Sequence, residues 1–287
     1  MASNYVKRLT TSITGTNILR DRPLTDDELR TAAPSAFSTD KHDSRSDRYT
    51  HIPTYATVLA LRKEGFEPFF AVQSNTKDET RIGHTKHLIR FRRTSQIQAP
   101  RAEEICLINS SDASCGGQLL AAITERVCQN ACIVGSVVKD IRVRHTGNVV
   151  NDFIEGSYSI LNSFETVRES IDDMLATQLN KDEQMVFARS AMALRYDKVI
   201  DAPISPMQLL KLRRREENTS SLYTTFQVVQ ENLVRAGLIG TKADAQGKIK
   251  HVRTRPINSI TENTKINQAL WQLAEGMRQI KNGAVAV

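Results

Sequence analysis

Six cations and no acid stand between Arg81 and Arg101: Arg81, Lys86, Arg90, Arg92, Arg93 and Arg101. Side chains of this type, repeated along an extended segment, bind phosphates, because each cation replaces a counterion condensed on a nucleic-acid backbone. The commoner use of a basic run is a solvated face, so spacing has to decide. HTKHLIRFRR predicts a strand, in which side chains alternate. Lys86, Leu88, Arg90 and Arg92 then share one face, and His87, Ile89, Phe91 and Arg93 share the other. Ile89 and Phe91 can reach a core. Lys86, Arg90 and Arg92 recur about 7 Å apart, from a rise of ~3.3 Å per residue, close to the phosphate spacing of an extended strand. The preceding predicted strand, FFAVQSN, offers no acid to neutralise them.

The same arrangement returns in DIRVRHT, where Ile141, Val143 and His145 share one face and Arg142 and Arg144 the other. A further basic segment, TKADAQGKIKHVRTRP, sets Lys242, Lys248, Lys250, Arg253 and Arg255 against the single acid Asp244. It is expected to be a flexible loop over 241–256 that orders on a partner. The candidate nucleic-acid-binding set is therefore Lys86, Arg90, Arg92, Arg93, Arg142, Arg144, Lys248, Lys250, Arg253 and Arg255. Phe69, Phe70 and Tyr55 are the aromatics placed to stack on bases.

Other chemistries find less support. Neither GxxxxGK[ST] nor GxGxxG occurs, and HExxH and GxSxG are absent too. His84 and His87 point to opposite faces of a strand and cannot chelate one metal from it. His145 shares an apolar face and reads as a core histidine. Asp78 and Glu79 sit in a turn without the further carboxylates that a metal-dependent nuclease needs. Of Cys106, Cys115, Cys128 and Cys132, only the last two form a tight pair, so buried thiols are expected in place of zinc. No catalytic residue, cofactor or metal is assigned.

The elements that must position these cations belong to a chain of 287 residues, 40% of them hydrophobic, with a net charge of +7. That profile excludes collagen-like and wholly disordered chains, and allows one large domain or two small ones. The charge excess is local: residues 81–101 carry +6 and residues 241–287 carry +5, while 151–200 carry −4. No run of about 18 apolar residues predicts a membrane span. The segment MASNYVKRLTTS lacks the apolar centre of a secretory signal, so a cytoplasmic protein without a membrane partner is expected.

Residues 1–53 read as an arm, partly irregular, in which Thr25 and Glu28 can form the capping box of a short helix. Residues 54–148 read as an α+β core. A helix from Thr54 is stopped by Gly65, residues 69–93 form a β-hairpin, EEICLIN is a third strand, GQLLAAITERVCQN is a helix, and CIVGSVV and DIRVRHT are strands. Residues 149–287 read as helical, with a long amphipathic helix from Val150 to Leu175, one over 181–196, and one started by Ser205-Pro206 and ending at Arg213–Arg215. SSLYTTFQVVQENLVRAGLIG and a final helix with a packed Trp271 complete the region. The fold class is α+β: a β-hairpin-based antiparallel sheet with packed helices, followed by a mainly helical C-terminal region.

Taken in order, APS at 33–35, HDSRS at 42–46, Arg48-Tyr49, Ile52-Pro53-Thr54, GFEPFFAVQSN, KHLIRFRR, INSSD, RVCQN, IRVRHTGN and SLYTTFQVVQENLVRAG resemble a widespread phage- and plasmid-borne family, a domain of unknown function. The resemblance covers most of residues 30–275, with Ala131 and Gln227 departing from its pattern. It implies a mobile-element setting and no established activity. The order helix, hairpin, strand, helix is also similar, at the level of fold alone, to phage single-strand annealing proteins. That second resemblance implies a homo-oligomer holding single-stranded nucleic acid, DNA before RNA, in a basic groove for recombination. The rival expectation is a protein-interaction factor of a phage or plasmid that inhibits a host defence or replication protein.

Overall fold

The computed structural model describes residues 17–44, 51–81, 83–112, 114–125, 131–133, 141–143, 149–244 and 246–283, with the backbone alone at 131–133, 141–143 and 149. The chain divides into two compact units, Met1–Phe164 with Asn258–Ile260, and Glu165–Ile257 with Thr261–Val287.

The first unit is built on an antiparallel sheet. Strands β1 (Asn17–Leu19), β2 (Phe66–Gln73), β3 (His87–Arg93), β4 (Arg101–Asn109) and β5 (Gly117–Glu125) lie side by side in that order. Two short strands, β6 (Ala131–Ile133) and β7 (Ile141–Val143), both pair with the outer edge of β5. The predicted hairpin and third strand are present as β2, β3 and β4. The predicted helix over GQLLAAITERVCQN is instead the strand β5 over Gly117–Glu125, and RVCQN lies outside the described residues. Leu119 through Ile123 are buried without a break. A short run that is apolar on every side fits a buried strand as well as a helix, and pairing with β4 from Arg101 to Ile108 decides for the strand.

Both faces of this sheet are covered. One buries Ala71, Ile89, Phe91, Ile105, Leu107, Leu119 and Ala121, as expected for Ile89 and Phe91. The other buries Phe70, Val72, Leu88, Cys106, Ile108, Leu120 and Ala122 together with Ile260. Helices α1 (Asp26–Ala32) and α2 (Thr54–Lys63) pack against β2. The capping box predicted at the start of α1 is formed: Glu28 N–H donates to Thr25 Oγ1 at 3.2 Å and Thr25 N–H to Glu28 Oε2 at 3.0 Å. Gly65, at φ 82°, ends α2 as predicted.

The described part of the predicted arm is no loose appendage. Asn17–Leu19 extend the sheet beside β2, and Leu24, Leu29, Ala33, Ala36 and Ile52 are buried. Their spacing shows no period because the segment follows the sheet surface and is not itself a long regular element.

The second unit is mainly helical. Helix α3 (Val149–Ala176) begins in the first unit and continues into the second, which also holds α4 (Lys181–Ala193), α5 (Pro206–Leu209), α6 (Leu222–Val234) and most of α7 (Ile260–Lys281). Trp271 is fully buried and meets Phe226 edge-on at 6.0 Å, in line with the packed role expected for it. The helix predicted to reach Arg215 stops at Leu209. Beyond it, Arg213 is drawn to Asn232 Oδ1 at 2.7 Å and Ala236 O at 2.8 Å, and Arg214 to Glu231 at 2.7 Å.

The predicted flexible loop over 241–256 is, where described, a two-stranded ribbon of β8 (Ile239–Ala243) and β9 (Ile249–Arg253). Asp244 Oδ1 accepts from the N–H groups of Gln246 at 3.1 Å and Lys248 at 2.9 Å. Gly247 supplies the left-handed residue of the turn, at φ 78°.

Candidate nucleic-acid interface

The arginine face of β3 is not open. Arg90 and Arg92 point to the same face, as alternation predicts, but each is 7% exposed. Glu104, in β4 beside them and fully buried, accepts from both. Arg90 reaches it through Nε at 2.6 Å and Nη2 at 2.9 Å, and Arg92 through Nε at 2.9 Å and Nη2 at 2.7 Å. Arg90 Nη2 also donates to Thr124 Oγ1, and Arg92 Nη1 to Ile97 O, each at 2.7 Å. The ring of Phe69 lies 4.0 Å from the Arg92 guanidinium and 5.2 Å from that of Arg90. Burial alone would push the Glu104 carboxyl up, but the two guanidiniums outweigh it and hold the group below the usual carboxylate range.

The expected phosphate contacts by Arg90 and Arg92 are therefore corrected: both serve an internal ion cluster. The neutralising acid comes from the strand after β3 and not from the strand before it. The signal was present in EEICLIN, because alternation puts Glu104 on the face of Cys106, which stands opposite Arg90. The proposed stacking aromatics fall with them. Phe69 and Phe70 are buried, and the Tyr55 hydroxyl donates to Asp26.

The remaining sheet candidates are scattered. Lys86 is half-buried ahead of β3, and Arg93 is exposed on the opposite face, 5.0 Å from the Phe66 ring. Arg142 stands in register with Gln118, its side chain outside the described residues, and Arg144, Cys128 and His145 also lie outside them.

At the end of the sheet where β3 begins, sequence reasoning missed a buried polar clasp. His87 is fully buried, with Nδ1 2.8 Å from Ser35 Oγ and Nε2 3.0 Å from Thr54 Oγ1. Asn109 Nδ2 donates to Thr54 Oγ1 at 2.9 Å and to Ile52 O at 3.2 Å, and Ser35 N–H to Gln73 Oε1 at 2.8 Å. Burial pushes the His87 pKa down to about 4, so the ring is neutral at pH 7. The clasp fastens residues 35 and 52–54 to the strands. Among the described residues, no three His, Cys, Asp or Glu side chains are placed to hold a metal. Burial pushes the Cys106 thiol up to about 12, which removes it as a nucleophile.

On the ribbon β8–β9 the candidate cations do meet solvent. Lys242, Lys248, Lys250, Arg253 and the following Arg255 are all exposed. Lys250 Nζ pairs with Asp244 at 3.0 Å; among the described residues, Lys242, Lys248, Arg253 and Arg255 have no ion-pair partner. Lys242 stands directly opposite Lys250. Like charges so placed weaken a ladder, and an anion bound between them would remove that cost. Alternation puts Lys242 and Lys250 on one face of the ribbon, and Ile239, Thr241, Ile249, His251 and Arg253 on the other. Ile239 is 59% exposed and Ile249 70%. These apolar members were missed, although the alternation in KIKHVR carried them.

The ribbon is anchored at β8. Thr241 N–H donates to Pro203 O at 2.8 Å, and Gln208 Nε2 donates to Ile239 O at 2.8 Å. Position 240 has to be glycine, because a Cβ there would lie 1.8 Å from Pro203 O. Beside the anchor lies a cleft of about 530 Å³ lined by Ile200, Pro203, Pro206, Gln208, Ile239 and His251 among others.

Comparison with known proteins gives family relationships without an activity. The model of a domain of unknown function, DUF932, matches residues 41–271. The chain is 42% identical over 260 residues to UPF0380 protein YafZ of Escherichia coli (strain K12), covering 91% of this chain and 93% of that protein. To UPF0380 protein YfjQ of the same strain it is 42% identical over 258 residues, covering 90% and 93%. No solved structure matches.

Proposed function

We propose that this chain, which belongs to the DUF932 family of domains of unknown function, binds nucleic acid without catalysing a reaction and grips the phosphates with its exposed ribbon β8–β9. The observation that carries this reading is the ribbon itself: five exposed cations with Asp244 as the single acid among them. The partner in this proposal is DNA of a phage or plasmid undergoing recombination, and the acting form is a homo-oligomer, which light scattering with and without DNA would reveal. With Arg90 and Arg92 engaged by Glu104, a single strand laid along the sheet has lost its main support.

Binding of this kind weakens steeply with salt. Fluorescence anisotropy of labelled DNA, titrated at several salt concentrations, is the test. Replacing Lys242 and Lys248 together by alanine should lower the slope of log affinity against log salt by about 1.4–1.8, at ~0.7–0.9 per lost contact. An unchanged slope would remove the ribbon from the interface. A second reading, a protein-interaction factor, is favoured by the exposed apolar side chains that line the cleft, Ile200 at 91% and Ile239 at 59%. That reading predicts no DNA binding at physiological salt.

A further inference from the structure

Resting on the nucleic-acid reading above, we infer that the ribbon β8–β9 enters the major groove of double-stranded DNA and does not hold a single strand. Three observations carry this. First, sequence-tolerant binding of single strands relies on aromatic side chains on which bases stack. The ribbon and its turn contain no Phe, Tyr or Trp. Second, its dimensions match a groove. Two strands lie about 4.8 Å apart and five residues extend roughly 13 Å, and a B-form major groove about 12 Å wide admits a two-stranded ribbon. Third, the two faces carry different chemistry. Lys242 and Lys250, with Lys248 at the turn, have long cationic stems able to reach phosphates on the groove walls. The opposite face presents Ile239, Thr241, Ile249, His251 and Arg253, all exposed.

That second face has the composition of a base-reading surface. Arginine donates to the acceptor edge of guanine, threonine and histidine bond base edges, and isoleucine meets the thymine methyl group. Two exposed isoleucines serve little purpose on a backbone-only surface, where the contacts are charges and hydrogen bonds. Double-stranded RNA is excluded by the same geometry, since its major groove is too narrow and deep to admit the ribbon.

The test compares the intact chain on a DNA duplex, on one of its separated strands, and on an RNA duplex of the same sequence, by fluorescence anisotropy at fixed salt. DNA duplex is expected to bind at least about tenfold more tightly than either of the others. Ile249→Ser combined with His251→Ser should weaken duplex binding several-fold with an unchanged salt slope, because neither residue neutralises a phosphate. Lys242→Ala combined with Lys250→Ala should lower the duplex salt slope by about 1.8. All four positions are solvent-exposed, and an unchanged unfolding midpoint confirms the fold of each variant. Equal or tighter binding of the single strand, or no loss in the Ile249/His251 variant, overturns the groove placement and leaves the ribbon as a phosphate grip. No binding to any of the three nucleic acids overturns the nucleic-acid reading itself.

Discussion

Replacing Glu104 by glutamine keeps the outline of the side chain and removes the charge on which Arg90 and Arg92 converge. The site is closed to water: the Glu104 side chain is 0% exposed and those of Arg90 and Arg92 are 8% and 9%. Four hydrogen bonds from guanidinium to carboxylate become bonds to a neutral amide, whose nitrogen cannot accept. Breaking a buried ion cluster in this way costs about 3–5 kcal/mol, a large share of the ~5–15 kcal/mol that holds a domain folded. The acid dependence has a definite sign. The folded pKa of Glu104 is held below its unfolded value, so its contribution is complete above about pH 4.3 and is lost as pH falls through the folded pKa. Glu104→Gln should flatten that acid limb. Trp271 lies in the other unit, so its fluorescence is the wrong probe, and hydrogen exchange of the β3 and β4 amides is the right one. Replacing Arg90, Arg92 and Glu104 together by methionine should return to within about 1–2 kcal/mol of the native chain, because apolar packing then substitutes for the cluster. A Glu104→Gln cost below about 1 kcal/mol, or an unchanged acid limb, would refute the reasoning.

His87 supplies a second pH effect in a different window. Its folded pKa of about 4 lies below the ordinary 6.5, so between those values the unfolded chain binds the extra proton and stability rises with pH. The full span is worth about 3 kcal/mol, and His87→Gln should remove that slope in urea unfolding followed by circular dichroism; equal slopes in both proteins would sink the idea. Gly240→Ala should detach β8 from Pro203 O and weaken DNA binding, read by anisotropy together with hydrogen exchange at Thr241. Unaltered exchange there would show that the anchor tolerates the side chain.

What the sequence disclosed depended on how local the signal was. Thr25 with Glu28, and Gly65 after α2, are signatures read within four residues, and both stand as expected. The β2–β3 hairpin was legible from its two strands and polar turn. GQLLAAITE was not, because nothing within the run separates a buried strand from a buried helix; the pairing with β4 that decides it is a long-range fact. Arg90 and Arg92 illustrate the same limit at the level of the site. Alternation placed them on one face, but whether that face met water or Glu104 depended on a strand across the ladder. The ribbon is hard to read for a different reason. Its high charge resembles disorder, while its period of two, Ile249, His251, Arg253 against Lys250, Val252, was the stronger evidence.

Ile260 closes the apolar cluster on one sheet face, with Phe70, Leu88, Cys106 and Leu120, although the rest of that unit ends at Phe164. During synthesis, the ribosome has therefore to add roughly a hundred more residues before the last side chain of that cluster emerges. At ~5–20 residues per second this is a wait of about 5–20 s, during which the sheet stands with an unfilled apolar position. The second unit's residues from Glu165 to Ile257 are made in that interval. The first unit is thus completed only after residues 165–257 of the second have been made.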